Sequence, residues 1–115
     1  MKNIHKISIV AILLVIIVNA CGMAQKQPSN ITTSTFKVYG NCDQCKARIE
    51  KAAKVDGVSK AEWNKDTKVL TLVYDPTQVK SDDVLKNIAA AGHDTEKFKA
   101  DNKAYDKLPG CCKYR

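Results

Sequence analysis

Along much of the chain, apolar residues either alternate with polar ones or recur at helical spacing. Residues 34–39 alternate and place Phe36 and Val38 on one face, which predicts a β-strand. Residues 43–54 carry apolar side chains three to four positions apart, which predicts an amphipathic helix. The apolar positions of this helix are Cys45, Ile49, Ala52 and Ala53.

The next part of the pattern predicts a hairpin and a second helix. Residues 58–63 and 68–74 alternate on either side of a polar turn, which predicts two antiparallel strands. Ser81 is placed to cap a helix that Gly92 ends. Residues 95–100 predict a short fourth strand. The inward positions are predicted to be Ala61, Trp63, Leu70, Leu72, Tyr74, Val84, Leu85, Ile88 and Ala89.

The order of these elements is strand, helix, strand, strand, helix, strand, and this order predicts the fold class. It is an α+β, ferredoxin-like βαββαβ sandwich, with one antiparallel sheet and two helices on one face. The domain is predicted to span residues 34–100, after a polar linker at 25–33 and before a cysteine-containing C-terminal tail at 101–115. A domain of this size can fold alone.

Residues 1–24 are predicted to be a signal peptide. Residues 1–6 are basic, and the apolar run at 7–18 is short for a membrane-spanning helix, although a permanent anchor helix is the alternative. Cys21 follows a lipobox-like Val-Asn-Ala sequence and would be lipidated, whereas Ala24 ends an ordinary signal-peptidase site. Either site predicts export to a bacterial cell envelope, in the periplasm or anchored to the membrane through lipid.

The charge pattern narrows the range of partners. The formal net charge is +7, but the basic residues are scattered along the domain. A nucleic-acid-binding surface would need a basic stripe with interleaved aromatic residues. We therefore expect a soluble basic surface and no nucleic-acid partner.

Four of the five cysteines form two close pairs, Cys42 with Cys45 and Cys111 with Cys112. Paired cysteines in an exported chain would ordinarily predict disulfides, but this tight spacing favours metal or redox chemistry. Cys42 precedes the first helix and Cys45 begins it, where the helix N-terminus stabilises thiolates. Two converging thiolates suit a soft ion, copper(I) first, with mercury(II), silver(I) and zinc also compatible. Zinc, however, normally takes four protein ligands in a structural site.

Several of these residues together resemble a known family. They are Gly40, Asn41, Cys42, Asp43, Gln44, Cys45, Ile49, Glu50, Gly57, Val58, Tyr74, Asp75, Pro76, Ile88 and Gly92. The set looks like the heavy-metal-associated domain of copper chaperones, copper-pump N-terminal domains and periplasmic mercury-binding proteins. The resemblance covers roughly residues 34–100.

The resemblance implies that Cys42 and Cys45 are the metal ligands. It also implies a protein that binds and hands over the ion without chemical turnover, and therefore one without catalytic residues. Basic residues of the first helix would dock an acidic metal-pump or transporter domain, although a solvated face is the simpler interpretation. These basic residues are Lys46, Arg48, Lys51 and Lys54.

The chain departs from the family at several positions. Gly40 stands where the family usually has methionine, which predicts a more mobile metal loop. His93 stands where the family often has tyrosine or phenylalanine; it would supply a third ligand or shield the site, or else be an exposed loop histidine. Cys111 and Cys112 would add ligands, form a vicinal disulfide or cross-link two chains. A tail that acts independently of the site is preferred here over a ligating one.

A thiol–disulfide oxidoreductase is the alternative from another functional class. Cys-x-x-Cys at a helix start also serves thioredoxin-like enzymes. No tryptophan precedes the motif and no proline lies inside it, and a hairpin follows the first helix. A non-enzymatic metal-binding protein is therefore preferred, with mercury(II) capture as an alternative of the same architecture.

Overall fold

The computed structural model describes residues 30–115. The predicted signal peptide, with Cys21 and both cleavage sites, and residues 25–29 of the linker lie outside the described residues. Within residues 30–115, every helix is too short or too polar to traverse a lipid bilayer.

Three strands form an antiparallel sheet in the order β1-β3-β2. The elements are β1 (Thr32–Lys37), α1 (Asp43–Ala53), β2 (Val58–Trp63), β3 (Val69–Tyr74), α2 (Ser81–Ala90), α3 (Asn102–Asp106) and a 3₁₀ turn (Gly110–Cys112). The central strand β3 places Leu70 opposite both Phe36 of β1 and Trp63 of β2. This arrangement confirms the predicted α+β, ferredoxin-like class, although β1 begins and ends two residues earlier than predicted.

The two long helices bury the faces that their periodicity predicted. Helix α1 buries Cys45, Ile49 and Ala53, which recur every fourth residue, and it packs against α2 and β2. The buried residues of α2 and β3 are Val84, Leu85, Ile88, Ala89, Leu70, Leu72 and Tyr74. Because Cys45 belongs to this core, the N-terminal end of α1 is fixed over the sheet.

The predicted cap of the second helix is wrong by one residue. Ser81 is the first residue of α2, and Lys80 occupies the N-cap position without a side-chain capping bond. Asp82 and Asp83 lie in the first turn, where the helix dipole favours negative charge. Gly92 follows the helix with a φ of +106°, a left-handed conformation that glycine adopts without strain.

The predicted fourth strand at residues 95–100 does not form as a regular strand. An isolated bridge joins Thr95 to Val38, and the chain then turns. The Thr95 hydroxyl accepts hydrogen bonds from the N–H groups of Lys97 (3.3 Å) and Phe98 (2.8 Å), and the Thr95 N–H donates to the Phe98 carbonyl at 2.7 Å. These local hydrogen bonds replace the ladder that a strand would make.

The C-terminal tail (residues 101–115) packs onto the domain. The Asp101 carboxylate caps α3 by accepting a hydrogen bond from the Ala104 N–H at 2.7 Å. Leu108 is buried beside Gly92, and a Cβ at Gly92 would lie 2.9 Å from Leu108 Cδ2. The missing side chain of Gly92 therefore allows the tail to approach the end of α2.

Candidate metal centre

The loop between β1 and α1 carries the Cys-x-x-Cys pair. Cys42 occupies the N-cap position of α1 in an extended conformation, and Cys45 lies in the first turn with its side chain fully buried. Their sulfur atoms are 3.3 Å apart. The Asn41 backbone N–H donates to the Cys45 sulfur at 3.4 Å. Because the positive end of the helix dipole also lies here, the loop favours negatively charged sulfur.

The tail brings the second cysteine pair to the first. The Cys112 sulfur is buried 3.2 Å from the Cys42 sulfur, and the sulfur atoms of Cys42, Cys45 and Cys112 all lie within 4.8 Å of one another. The exposed Cys111 sulfur lies 3.2 Å from Cys42 and 3.8 Å from Cys112, but outside this mutual group. All four are free thiols. The tail therefore lies against the Cys-x-x-Cys loop, and a ligand role for Cys111 or Cys112 stays a prediction.

The thiols of Cys42 and Cys112 differ in how readily they ionise. Burial opposes the thiolate of Cys42, but hydrogen-bonding contacts with Cys111, Cys112 and Cys45 outweigh it and lower the pKa of Cys42 to about 6. Burial, together with hydrogen bonding to Cys45 and Cys42, raises the pKa of Cys112 well above its usual range. At neutral pH the metal-free cluster therefore holds an anionic Cys42 beside a neutral Cys112.

Arg48 belongs to the site, although it was not among the site residues predicted from sequence. Its Nη1 atom donates to the Cys112 sulfur at 3.4 Å, so a guanidinium cation borders the sulfur cluster. The sequence pattern groups Arg48 with the solvated or docking lysines of α1. Its position three residues after Cys45, on the same side of the helix, was the available signal.

The Lys46 ammonium is also held by neighbouring groups, which makes the predicted docking face smaller than expected. Its Nζ atom donates to Glu50 Oε2 at 2.6 Å and to the Trp63 carbonyl at 3.1 Å. Lys51 and Lys54 remain exposed. These two lysines are the ones still available to an acidic partner.

The indole of Trp63 fills the space beneath the metal loop. It is almost fully buried, and its Nε1 atom donates to the Val38 carbonyl at 2.9 Å. A Cβ built at Gly40 would lie 3.0 Å from Cys45 Cβ and 3.1 Å from Trp63 Cη2. The methionine that the family usually carries at this position would therefore crowd Cys45 and the indole, and the loop would have to shift to admit it.

His93 is buried, so the alternative of an exposed loop histidine is wrong. Its Nδ1 atom lies 2.8 Å from the Tyr39 carbonyl and must donate to it, while Nε2 has no hydrogen-bond partner among the described residues. Burial lowers the pKa of His93, so the ring is neutral at physiological pH. The ring stacks on Tyr114 at 5.6 Å and lies outside the sulfur group, and its role as ligand or shield stays a prediction.

Comparison with known proteins agrees with this geometry. A family model for the heavy-metal-associated domain matches residues 35–94, which include Cys42 and Cys45 but not the tail. No curated protein sequence matches the chain significantly.

Several solved structures share the fold. The CopZ metallochaperone is 27% identical, with a TM-score of 0.54, and the match covers 56% of this chain and 98% of that one. An N-terminal P-type ATPase domain from Bacillus subtilis, solved in its Cu(I)-loaded state, is also 27% identical, with a TM-score of 0.54 and coverage of 56% and 84%. Oxidized MerP from Ralstonia metallidurans CH34 is 29% identical, with a TM-score of 0.54 and coverage of 57% and 94%.

The family match, the fold and the paired thiols at the start of α1 support the same function, which is the binding of a soft metal ion. The match spans more than half of the chain. The chain therefore belongs to the heavy-metal-associated domain family.

Proposed function

We propose that this protein binds copper(I) through Cys42 and Cys45 and transfers or sequesters it without chemical turnover. The observation that carries the proposal is the 3.3 Å separation of their sulfur atoms at the N-terminus of α1. Thiolates are the ligands that copper(I) prefers, and the ion accepts low coordination numbers. Similarity to a P-type ATPase domain solved in its Cu(I)-loaded state supports copper as the cargo.

The two cysteines have different tasks in this function. Cys42 is half-buried, and its lowered pKa of about 6 provides a thiolate at neutral pH to meet an arriving ion. Cys45 is fully buried and holds the ion against the core. An acceptor's thiolate would approach from the Cys42 side, and the ion would move by exchange of one metal–sulfur bond at a time.

Mercury(II) is the second candidate cargo. It is also a soft ion that thiolates bind, and the sequence motif resembles periplasmic mercury-binding proteins as well as copper chaperones. The 29% identity to MerP supports keeping this candidate. A thiol–disulfide oxidoreductase gains no support, because the matched family is a metal-binding one.

The partner we propose is an acidic domain of a metal pump or transporter. The exposed Lys51 and Lys54 provide positive charge on α1, and opposite charges steer association. Similarity to P-type ATPase domains supports a pump as the source or destination of the ion.

The location we propose is the bacterial cell envelope. Support comes from the basic residues 1–6 followed by the apolar run 7–18. The intact mass of the protein purified from cells expressing the full chain tests this. A lipidated Cys21 or a new N-terminus at Gln25 is expected, and an uncleaved cytosolic chain would contradict export.

The metal assignment is tested by removing both thiols. Because Cys45 is buried, it is changed to alanine, which leaves no unpaired hydroxyl in the core, and Cys42 is changed to serine. Competition with chelators should show tight copper(I) binding by the wild type and none by the double variant Cys42→Ser, Cys45→Ala. Cys111→Ser is the matched control. Equal affinity in the double variant would refute the assignment, and tighter mercury(II) binding by the wild type would favour the second cargo.

A further inference from the structure

We infer that Cys112 is a third protein ligand of the metal ion, delivered by a tail that closes the site. The inference rests on the proposed function, in which Cys42 and Cys45 bind the ion. Cys112 contributes the only other sulfur, among residues 30–115, that lies within 4.8 Å of both. The match to the family ends at residue 94, so this ligand comes from outside the shared domain.

The surroundings of Cys112 suit a ligand better than a core residue. A buried cysteine often acts as a small apolar side chain. The Cys112 sulfur, however, lies 3.2 Å from the Cys42 sulfur and accepts a hydrogen bond from Arg48 Nη1 at 3.4 Å. Metal binding by three thiolates concentrates negative charge, and the guanidinium beside Cys112 offsets part of it.

The end of the tail is fixed by contacts that do not involve sulfur. The Tyr114 hydroxyl donates to the Gly92 carbonyl at 2.7 Å and accepts from the Asp94 N–H at 2.7 Å. The Arg115 guanidinium bonds the Asp94 carboxylate at 2.8 Å and the Ala100 carbonyl at 2.6 Å.

A contact from the metal loop also holds the tail, immediately after Cys112. Asn41 Nδ2 donates to the Lys113 carbonyl at 2.9 Å, so the residue before Cys42 is tied to the residue after Cys112. The third thiol is thus positioned before any ion arrives, which reduces the ordering cost of ligation.

Cys111 provides the contrast that sharpens the assignment. It is adjacent in sequence and only 3.2 Å from the Cys42 sulfur, but it is exposed and lies outside the mutual sulfur group. Its thiol donates to Gln44 Oε1 at 3.4 Å on the surface of the first turn of α1. Cys111 is therefore the matched control for Cys112.

X-ray absorption of the copper(I)-loaded protein, purified under reducing conditions from cells expressing the full chain, counts the sulfur neighbours directly. Three sulfur neighbours are expected in the wild type and in Cys111→Ser, and two in Cys112→Ser. Loss of an outer-shell partner already costs about 10-fold in metal affinity, so Cys112→Ser should weaken copper(I) binding by more than roughly tenfold.

The wild-type measurement needs no variant, so a folding defect in Cys112→Ser cannot hide the answer. Two sulfur neighbours in the wild type, or a loss of one neighbour in Cys111→Ser but not in Cys112→Ser, would overturn the inference. Either result leaves the proposed function standing as long as the Cys42→Ser, Cys45→Ala variant loses copper(I). Failure of the proposed function would appear instead as undiminished binding by that double variant.

Discussion

The two cysteine pairs reach the same place by different physical means. Cys42 and Cys45 are positioned locally, by the end of β1 and by a helix whose buried face includes Cys45 itself. Cys111 and Cys112 are positioned by contacts between residues far apart in sequence, such as Asn41 with Lys113 and Asp94 with Arg115. The first pair depends on the core of the domain, whereas the second depends on the docking of the tail.

Substitutions in these two regions should therefore have different consequences. A substitution in the core beneath the metal loop should destabilise the whole domain and therefore disrupt the whole site. A substitution at a residue that holds the tail in place, such as Tyr114 or Arg115, should release Cys112 while the Cys-x-x-Cys loop keeps its structure. The following predictions separate these two behaviours.

Trp63→Ala should cause the largest loss of stability. The indole is buried beneath Gly40 and Cys45 and hydrogen-bonds the Val38 carbonyl, so its removal leaves a cavity and an unpaired acceptor. The free energy of unfolding, measured by denaturant titration of the metal-free protein, should fall by about 3–5 kcal/mol. Trp63→Phe is the control and should lose clearly less. A loss below about 1 kcal/mol for alanine would contradict the role of the indole in supporting the loop.

Leu108→Ala should lower the free energy of unfolding by less than Trp63→Ala does, and its main effect should be on the packing of the tail. Leu108 is buried against Gly92 at the junction of tail and domain. Denaturant titration should show a loss at the lower end of the range for buried leucine, about 2–3 kcal/mol. Protease digestion should then cut the tail while leaving the domain protected. A variant as stable as the wild type would indicate that the tail is not docked in solution.

Asp94→Asn should have a smaller, pH-dependent effect. Burial opposes ionisation of Asp94, but the Arg115 guanidinium and the Ala100 N–H outweigh it and lower the pKa of the carboxyl. A lowered pKa stabilises the folded state above the ordinary carboxyl pKa, and this stabilisation disappears as the pH falls through the folded value. Since the pair is partly exposed, we expect a loss below about 1 kcal/mol at pH 7 and none in strong acid.

The measurement for this variant is the free energy of unfolding as a function of pH. Glu62→Gln is the matched control, because Glu62 pairs with Lys60 at 3.2 Å on an exposed surface of the sheet. The control should show no measurable change at pH 7. A difference between wild type and Asp94→Asn that grew towards acid pH would have the wrong sign for this ion pair.

The smallest expected effect is a shift in the pKa of Cys42, which is measured by the pH dependence of its alkylation. In the reduced, metal-free protein, alkylation of Cys42 should have its midpoint near its pKa of about 6, because the thiolate is the reactive form. Peptide mass mapping assigns the modified residue. Replacing both Cys111 and Cys112 with alanine removes the tail's hydrogen-bonding groups next to Cys42 and should move the midpoint upwards. A wild-type midpoint near the ordinary cysteine value of about 8.5 would show that the pairs do not meet in solution.

The parts of the molecule that sequence predicted are those set by local periodicity. The four-residue repeat of Cys45, Ile49 and Ala53 identifies the buried face of α1, and the alternation in β3 identifies Leu70 and Leu72 as core. The C-x-x-C spacing at a helix start is also a local pattern, and it predicts Cys42 and Cys45 as the first two sulfur ligands.

The parts that sequence could not predict depend on tertiary or competing contacts. The fourth strand fails because the Thr95 hydroxyl bonds nearby N–H groups, and a propensity pattern does not register that competition. The position of Cys112 depends on anchors such as Tyr114, whose partner Gly92 is 22 residues away in sequence. The burial of His93 likewise follows from its stacking on Tyr114.

The packing of the indole under the metal loop also gives the protein an intrinsic optical reporter. The chain has a single tryptophan, and its ring lies against the position of Gly40, next to Cys45. Fluorescence emitted at this one site would be quenched by a heavy, polarisable ion arriving at the neighbouring sulfur atoms. Successive additions of a soft metal would therefore yield the stoichiometry of loading and its rate without any attached dye.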